Sequence, residues 1–445
     1  MQLILRGAAG LGLYLLLLLL PLLFGTAFPP SDVSASALLN LSVGLAYVGF
    51  AVMVLELSLV SRVQRAASPF GLDVLQQFHK EIGIAAFCLL LTHPILLVVA
   101  GYPARILGSS GVPWSVASGT LAFLLLLALI SLSIWRKRLR LSYEIWLGTH
   151  GLLALGLLVV AGVHVATVGR FVRRMPMAVL CLLYVLVPVC LFAFQRLLRP
   201  LFTTRRAWRV VENRAEAGDA RTLRLEPVGH AGWAGGFAAG QFAWLRLGRS
   251  PLSYDQHPIS LSSSGDAAQE TREIAFTIKN LGDWSGPRVR ELGAGDLVWV
   301  DGPYGVFTLD REQGPGYVFL AGGVGITPLR SMLVTMAERE DVRPVVLFYA
   351  ARTPEDLIFR EDLLALRGRM NLKVVYVVSE APPGWEGEEG RITAEVLRRH
   401  LPPKQYRRWQ YFICGPSPMM DALEQILPDL GVPEDHIHTE RFDMV

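Results

Sequence analysis

The sequence predicts a membrane-embedded, all-α bundle of six helices, followed by an antiparallel β-barrel and a Rossmann-like α/β domain. Residues 1–200 are nearly continuous apolar runs, whereas residues 201–445 have the mixed composition of a water-soluble protein. Short strand-like segments with glycine turns continue to about residue 309, which favours a small barrel. From Tyr317 onward, apolar strands alternate with helical stretches, as in a parallel doubly wound sheet. We therefore expect domains at residues 1–200, 201–312 and 313–445.

Six stretches in the first half are apolar and long enough to cross a bilayer. They cover residues 8–28, 37–60, 78–101, 116–135, 144–168 and 176–196. The first stretch follows Arg6 and could be a signal peptide, but it is long for the apolar part of one. We interpret it as an uncleaved helix.

The basic residues of the short loops predict how the bundle is oriented. Basic loops at 61–77, at 135–140 and after residue 195 belong on the cytoplasmic side, which places both termini inside the cell. Arg105 is the one basic residue of loop 101–115, and loop 29–36 has none. The loop Gly169–Arg174 breaks this rule, because it is basic although it should lie outside. An inverted topology is the alternative.

Net charge and cysteine usage exclude several classes of protein. The formal net charge of +4 is modest and the basic residues are scattered, so no nucleic-acid partner is expected. Cys88, Cys181, Cys190 and Cys414 form no CxxC pair. We therefore expect no disulfide framework, zinc site or iron–sulfur cluster.

Four histidines form two matched pairs within apolar segments. His79 and His93 are fourteen residues apart, and so are His150 and His164. On an α-helix this spacing advances ~21 Å and rotates about 1400°, so that both members of a pair share one face at different depths of the bilayer. Two such helices could clamp two hemes stacked across the membrane. A single histidine could instead be a satisfied polar residue of the bundle, but this does not readily explain the repeated spacing.

Two glycine-containing turns follow apolar strands in the last domain. The stretch Gly322–Pro328 opens a helix, with Thr327 expected as its N-cap and Pro328 as its first residue. Its glycines, Gly322, Gly323 and Gly325, would let a pyrophosphate approach the helix N-terminus, although the turn departs from GxGxxG. The stretch Cys414–Gly415–Pro416 is a second such turn at the edge where α/β sheets bind ligands. It could also be a simple loop with a core thiol.

The barrel region carries two weaker motifs. His257, Pro258, Ile259 and Ser260 include a hydroxyl that could bind a flavin or a phosphate. The strand Phe276–Lys279, which contains Thr277, leads into a turn that could hold a pyrophosphate. This turn contains Gly282, Trp284 and Ser285.

Taken in order, these motifs resemble the ferric reductase/NADPH oxidase superfamily over nearly the whole chain, and its compact prokaryotic NADPH oxidase-like members most. The resemblance implies two b-type hemes, FAD and NADPH or NADH as cofactors. It assigns one flavin element to His257, Pro258 and Ser260, and the other to Thr277, Lys279, Gly282 and Ser285. It assigns the pyrophosphate loop to Gly322, Gly323, Gly325, Thr327 and Pro328, and the nicotinamide contact to Cys414, Gly415 and Pro416. The C-terminal aromatic residue of such modules corresponds to Phe442.

The expected function is electron transfer across the cell membrane, from cytoplasmic NAD(P)H through FAD and two hemes to an external acceptor. His79 and His150 would hold the inner heme, and His93 and His164 the outer one. With both axial positions filled, the acceptor would react at the heme edge, either as oxygen reduced to superoxide or as a ferric complex. One alternative is an electron-delivery module for a quinone or a periplasmic protein. Another is a metal or ion transporter, against which the FAD/NAD(P)-like half argues.

Three further residues carry specific expectations. Arg352 follows the strand Val345–Ala350 and could bind a 2′-phosphate, or it could pair with Asp356 on the surface. Phe442 could stack on the flavin and move aside for nicotinamide, or it could belong to a frayed tail. Arg170, which precedes Arg173 and Arg174, could contact a heme propionate or the acceptor, or this loop could bind lipid phosphates.

Overall fold

A computed structural model of the chain forms two compact units, Met1–Arg199 and Pro200–Val445. The structure describes residues 2–29, 36–59, 70–102, 113–168, 171–198, 207–233, 235–247, 256–266, 268, 272–282, 284–403 and 405–441. Arg170 and Phe442, for which the sequence makes specific predictions, therefore lie outside the described residues.

The first unit consists of long apolar helices. They are α1 (Gln2–Ala27), α2 (Ala37–Leu59), α3 (Leu72–Val99), α4 (Trp114–Ile134), α5 (Tyr143–Val168) and α6 (Met175–Ala193). By length and composition, all six are candidate membrane spans, as the sequence predicts. Helix α3 begins earlier than the predicted start at residue 78, because its first turns are polar and hydropathy detects only the apolar part.

The helices pack as two close pairs, α2 with α3 and α4 with α5. Phe50, Leu126 and Leu157 belong to one buried cluster in the interior of this unit. Many large apolar side chains point outward instead, including Leu16 and Leu152. An exposed apolar surface of this kind is expected for helices that face lipid.

The second unit begins with an antiparallel sheet. Its strands are β1 (Ala207–Glu216), β2 (Ala220–Pro227), β3 (Phe242–Arg246), β4 (His257–Ser260), β5 (Ile274–Lys279) and β6 (Leu297–Tyr304). They lie in the order β4-β3-β6-β1-β2-β5. An isolated bridge between Leu261, just after β4, and Phe276 in β5 joins the two edges of this sheet. The edge strands are thus brought together in the manner of the predicted barrel.

A parallel sheet with helices follows. Its strands are β7 (Tyr317–Gly322), β8 (Val345–Ala351), β9 (Leu372–Val378), β10 (Glu388–Glu389), β11 (Gln410–Cys414) and β12 (Ile437–Thr439). Its longer helices are α7 (Ile326–Glu338), α8 (Arg360–Arg367), α9 (Ala394–His400) and α10 (Ser417–Asp429). The strand order is β10-β9-β8-β7-β11-β12. Strands β8 to β10 are added on one side of β7, and β11 and β12 on the other, so the switch point lies between β7 and β11. Ligands of open α/β sheets bind at such a switch point.

Helix α7 joins the two sheets of the second unit. The Arg330 guanidinium donates to the Ser262 carbonyl at 2.6 Å, and the Ser331 hydroxyl donates to the Ser263 carbonyl at 2.6 Å. The Gly265 amide donates to the Thr335 hydroxyl at 3.1 Å. These contacts fix the segment after β4 against the helix that follows the glycine turn.

Candidate functional site

The glycine turn lies at the carboxyl end of β7. Gly322 ends the strand, Gly323–Gly325 form a 3-10 turn, and α7 begins at Ile326. The prediction that Thr327 caps this helix is wrong, because Gly325 already has helical dihedral angles (φ −62°, ψ −8°) and precedes the first helical residue. The Thr327 hydroxyl instead donates to the Val324 carbonyl at 2.7 Å. Pro328 lies in the first turn, where its missing N–H costs no hydrogen bond, but it is not the first residue.

The second turn packs directly against the first. A Cβ added at Gly325 would lie 2.2 Å from the Cys414 carbonyl oxygen and 2.8 Å from the Gly415 nitrogen. A Cβ at Gly322 would lie 2.7 Å from Cδ of Pro416. The glycines therefore permit two backbone segments to meet at the switch point. The predicted pyrophosphate and nicotinamide residues are brought together there.

Cys414 is a buried thiol beside a buried carboxyl group. Burial raises the pKa of Cys414 well above its ordinary value, and the charge of Glu440 raises it further. Glu440 is 4% exposed, and its backbone amide donates to the Ile413 carbonyl at 3.3 Å. Sequence reasoning missed Glu440, because an acidic residue in a polar tail resembles a surface residue. Its position two residues before Phe442 was the available signal.

The chain is held in place up to the last described residue. Arg441 forms ion pairs of 2.7 Å with both Asp421 and Glu424 of α10. Strand β12, which ends two residues before Arg441, pairs in parallel with β11. The tail is thus anchored beside Cys414 immediately before Phe442.

The first flavin motif forms a buried strand next to an aromatic partner. Residues His257, Pro258, Ile259 and Ser260 make up β4, which pairs with β3. The His257 and Trp284 rings have centroids 4.1 Å apart and planes inclined by 35°. The structure therefore brings the two predicted flavin elements together through this ring contact.

The second flavin motif lies next to the glycine turn, since β5 contacts residues Gly323–Gly325. Thr277 is buried and forms hydrogen bonds with the Thr222 and Ser262 hydroxyls, at 2.9 and 3.0 Å. The Lys279 ammonium lies 3.3 Å from the Asp356 carboxylate. Both polar groups thus have protein partners.

The turn after β5 differs from β5 in its exposure. The Ser285 hydroxyl accepts a hydrogen bond of 2.8 Å from the Leu281 amide, which closes the turn. Gly282 faces open space, because a Cβ placed there would meet nothing within 4 Å. Backbone groups of this turn are therefore accessible to a ligand.

Arg352 lies directly after β8 and is exposed. Its guanidinium pairs with Glu380 at 2.7 Å, whereas Asp356, its predicted surface partner, pairs with Lys279. The alternative that paired Arg352 with Asp356 is therefore wrong. Because β8 is the neighbour of β7 in register, Arg352 lies at the same sheet edge as the glycine turn.

A pocket of about 320 Å³ opens elsewhere in the second unit. Its lining includes Arg214, Arg224 and Arg330 together with Glu212 and Glu338. None of the predicted flavin or nucleotide residues lines it, so we base the site on the strand ends and the switch point instead.

The four histidines of the first unit form two facing pairs, one ring of each pair on α3 and the other on α5. The ring centroids of His79 and His150 are 6.2 Å apart, and those of His93 and His164 are 6.4 Å apart. A metal ion bound by two imidazoles lies about 2 Å from each nitrogen, and the ring radius of ~1.1 Å brings the centroids to about 6 Å. Both separations thus fit one iron between each pair of rings.

Every one of these rings uses Nδ1 for a hydrogen bond within the protein. The partners of Nδ1 are a Glu56 carboxylate oxygen for His79, the Ser42 hydroxyl and carbonyl oxygens for His93, the Ser133 hydroxyl for His150 and the Ser115 carbonyl for His164. Nε2 is therefore the nitrogen that each ring can offer to a metal. Gly119 makes room for one ring, since a Cβ there would lie 2.7 Å from Cε1 of His164.

Glu56 is a second candidate site residue that sequence reasoning missed. Its side chain is buried, and Oε2 lies 2.7 Å from Nδ1 of His79. A lone acidic residue in the apolar segment Ala37–Leu59 was the available signal. Acidic residues within membrane spans are rare and usually functional.

Two family models match the chain. Residues 45–161 match the ferric reductase-like transmembrane component, and residues 319–425 match the oxidoreductase NAD-binding domain. The first match covers His79, His93 and His150, and the second covers the glycine turn and Cys414.

Several curated proteins are similar to this chain. Ferredoxin–NADP reductase B of Sorangium cellulosum is 34% identical over 218 residues, which is 46% of this chain and 86% of that protein. The reductase component of propane 2-monooxygenase from Rhodococcus jostii is 33% identical over 232 residues, 50% of this chain and 60% of that protein. The chain thus spans about three fifths of that relative. A solved ferredoxin reductase of carbazole 1,9a-dioxygenase has 26% identity and a TM-score of 0.45 over 53% of this chain and 69% of that one.

Proposed function

Because the chain belongs to the ferredoxin-reductase family of FAD/NAD-binding oxidoreductases and carries a ferric reductase-like transmembrane domain, we propose that it transfers electrons from NAD(P)H across a membrane. The proposed carriers are FAD and two b-type hemes, and the proposed acceptor lies on the opposite face. The proposed domains are 1–200 for heme, 201–312 for FAD and 313–445 for NAD(P).

One observation carries this proposal: two pairs of imidazoles face each other at separations of 6.2 and 6.4 Å. His79 and His150 would hold one heme iron, and His93 and His164 would hold the other. Two sites in one bundle provide successive positions for an electron, which a single site would not. When bound, FAD would convert a hydride into single electrons and the hemes would carry single electrons through the apolar bundle.

In the second unit, the chain's own residues bind and orient the nucleotide. The Gly323–Gly325 turn offers backbone N–H groups at the start of α7, where a pyrophosphate is favoured. The Cys414–Pro416 turn lies against it and marks the nicotinamide position. Cys414 remains a neutral thiol at physiological pH, because burial raises its pKa. A neutral apolar contact suits an uncharged reduced nicotinamide ring, and we propose that Phe442 covers the flavin beside it.

The order of the helices supports an assignment of the two heme sites. Helices α5 and α6 are consecutive candidate spans, so the chain leaves the membrane after α6 at the face where α5 begins. His150 lies near the start of α5 and His79 near the start of α3. We therefore propose that this pair receives electrons first. The basic loops favour a cytoplasmic location for this face, in the cell membrane.

For the acceptor, we propose oxygen or a ferric complex, each reduced by one electron at the outer site. A second candidate is delivery to a quinone or a protein partner. It is favoured by the similarity to a protein whose name describes the reductase component of propane 2-monooxygenase.

Acceptor-dependent NAD(P)H oxidation by the purified, heme-loaded protein tests these candidates. We expect oxygen to support oxidation and cytochrome c to be reduced in a manner that superoxide dismutase blocks. A ferric chelate that is reduced equally with and without the dismutase identifies iron as the acceptor instead. If neither oxygen nor ferric chelates support oxidation although both hemes are reduced, the second candidate replaces the first.

A further inference from the structure

Glu56 is a buried acidic residue within a candidate membrane span, and it contacts a proposed heme ligand. Its Oε2 lies 2.7 Å from Nδ1 of His79, and its Oε1 accepts a hydrogen bond of 3.3 Å from the Tyr14 hydroxyl. It is 4% exposed. A carboxyl group in an apolar helix is costly, so a specific partner suggests a role for it.

The other three histidines have neutral partners at Nδ1. The Ser133 oxygen is 3.0 Å from Nδ1 of His150, and its hydroxyl proton is donated to the Leu129 carbonyl. The Ser42 oxygen is 2.8 Å from Nδ1 of His93, and its proton is donated to the His93 carbonyl. The Ser115 carbonyl is 2.8 Å from Nδ1 of His164. Among these recorded partners, the carboxyl group of Glu56 is the only acidic one.

This asymmetry makes the two heme sites electronically different. A histidine that presents Nε2 to a metal carries its proton on Nδ1 and donates it. Hydrogen bonds to a carboxylate are stronger than those to a hydroxyl or a carbonyl. A stronger acceptor at Nδ1 makes Nε2 a more basic ligand, and hydrogen bonding to axial ligands is one lever by which proteins set heme potentials. A more basic ligand favours ferric iron.

On the basis of the proposed function, we propose that Glu56 is a positioning residue for His79. It lowers the reduction potential of the heme between His79 and His150 below that of the heme between His93 and His164. With both hemes bound, one electron would pass from the His79–His150 site, whose iron would become ferric, to the His93–His164 site, whose iron would become ferrous, and no proton would be transferred. Electrons move spontaneously towards the higher potential. Glu56 would thus favour transfer away from the face at which NAD(P)H is oxidised.

The test is a redox titration of the full-length, heme-loaded protein and its Glu56→Gln variant. The substitution retains the size of the side chain and one acceptor oxygen but removes the carboxylate. We expect one midpoint potential to rise by at least ~59 mV, which corresponds to a tenfold change in the ferric/ferrous ratio of a one-electron couple. The other midpoint potential should stay unchanged. A His164→Ala protein, which retains the His79–His150 site, identifies which potential has moved. Glu56→Asp retains a carboxylate, so its midpoint potential should lie between those of the wild type and of Glu56→Gln.

Two further variants serve as controls. Ser133→Ala removes the neutral partner of His150 at the same site, so its effect should be smaller than that of Glu56→Gln. Tyr14→Phe removes a donor to Glu56 without changing the contact with His79. The carboxylate then becomes a stronger acceptor for His79, and the same potential should fall instead of rising. The optical and EPR spectra of that heme should change with its potential in both variants.

A purely structural role for Glu56 would change heme content or thermal stability but leave the potentials in place. Unchanged potentials in a Glu56→Gln protein that retains both hemes would overturn the inference. If Glu56→Gln loses heme, an unchanged potential in Tyr14→Phe would overturn it. A wild-type protein that binds no heme would contradict the proposed function itself, which distinguishes the two failures.

Discussion

At the scale of single residues, the proposed nucleotide site contains a thiol whose chemistry is set by burial. Cys414 is 1% exposed, and burial together with the charge of Glu440 raises its pKa. The thiolate is the reactive form of cysteine. We therefore expect iodoacetamide at pH 8 to modify Cys414 at least about tenfold more slowly in the folded protein than in the denatured protein, since each pKa unit changes the thiolate fraction tenfold. Peptide mass spectrometry measures both rates, and equal rates would contradict the buried neutral thiol.

Arg352 and Glu380 form an exposed ion pair at the edge where the adenosine part of the nucleotide is expected. Arg352→Ala should lower the ratio of kcat/KM for NADPH to that for NADH by about tenfold, because a charged hydrogen bond to a phosphate contributes ~1.5 kcal/mol or more. Glu380→Gln should raise this ratio, since it frees the guanidinium and removes a charge that repels phosphate. Steady-state kinetics with both nucleotides measures the ratio. Unchanged ratios in both variants would assign the pair to the surface alone.

The residues that could be predicted from sequence are those whose role is local. The glycine turn and Cys414 lie at the carboxyl ends of apolar strands, so their positions could be read from the sequence. Glu56 and Glu440 could not be found in this way. Glu56 meets His79 of another helix and Tyr14 of a third, and Glu440 reaches the vicinity of Cys414 only through the pairing of β12 with β11. Their roles arise from packing between segments that are distant in sequence.

At the scale of elements, the close approach of the two turns gives a test with a matched control. Alanine at Gly325 would place Cβ 2.2 Å from the Cys414 carbonyl oxygen, which is backbone and cannot rotate away. Alanine at Gly323 meets nothing within 4 Å, although its φ of +53° costs about 1 kcal/mol for a non-glycine residue. We expect Gly325→Ala to weaken NAD(P)H binding at least tenfold more than Gly323→Ala. Equilibrium titration of flavin or nucleotide fluorescence measures both affinities, and equal losses would argue against the packing of the two turns.

Most helices and strands were predictable, because buried or membrane-spanning segments appear in the sequence as runs of apolar residues. Strand β7 is entirely buried, and it begins at Tyr317, the residue from which the sequence predicts the α/β pattern. The capping residue of the next helix was not predictable in the same way. Ser, Thr and Asp are the usual caps, but here a 3-10 turn of glycines leads into the helix, so Thr327 lies inside it. A three-residue turn of this kind has no hydrophobic periodicity that would reveal it.

At the scale of the whole molecule, the membrane orientation that we propose from the basic loops gives a prediction for sealed vesicles. Inside-out vesicles should oxidise added NAD(P)H at once, because the nucleotide site is proposed to face the cytoplasm. Right-side-out vesicles should do so only after permeabilisation, since NAD(P)H does not cross an intact bilayer. Activity in sealed right-side-out vesicles equal to that after permeabilisation would support the inverted topology instead.

The central claim is that four histidines on α3 and α5 bind two hemes, one above the other. The number of hemes per chain in the wild-type protein and in single His→Ala variants tests it most directly. We expect two low-spin b-type hemes in the wild type, and one in each of His79→Ala, His150→Ala, His93→Ala and His164→Ala, because each imidazole pair supplies both axial ligands of one iron. The His79→Ala and His150→Ala proteins should also lose transfer to the external acceptor. Pyridine hemochrome assays give the stoichiometry, and two hemes retained in the His79→Ala and His150→Ala variants would contradict the account.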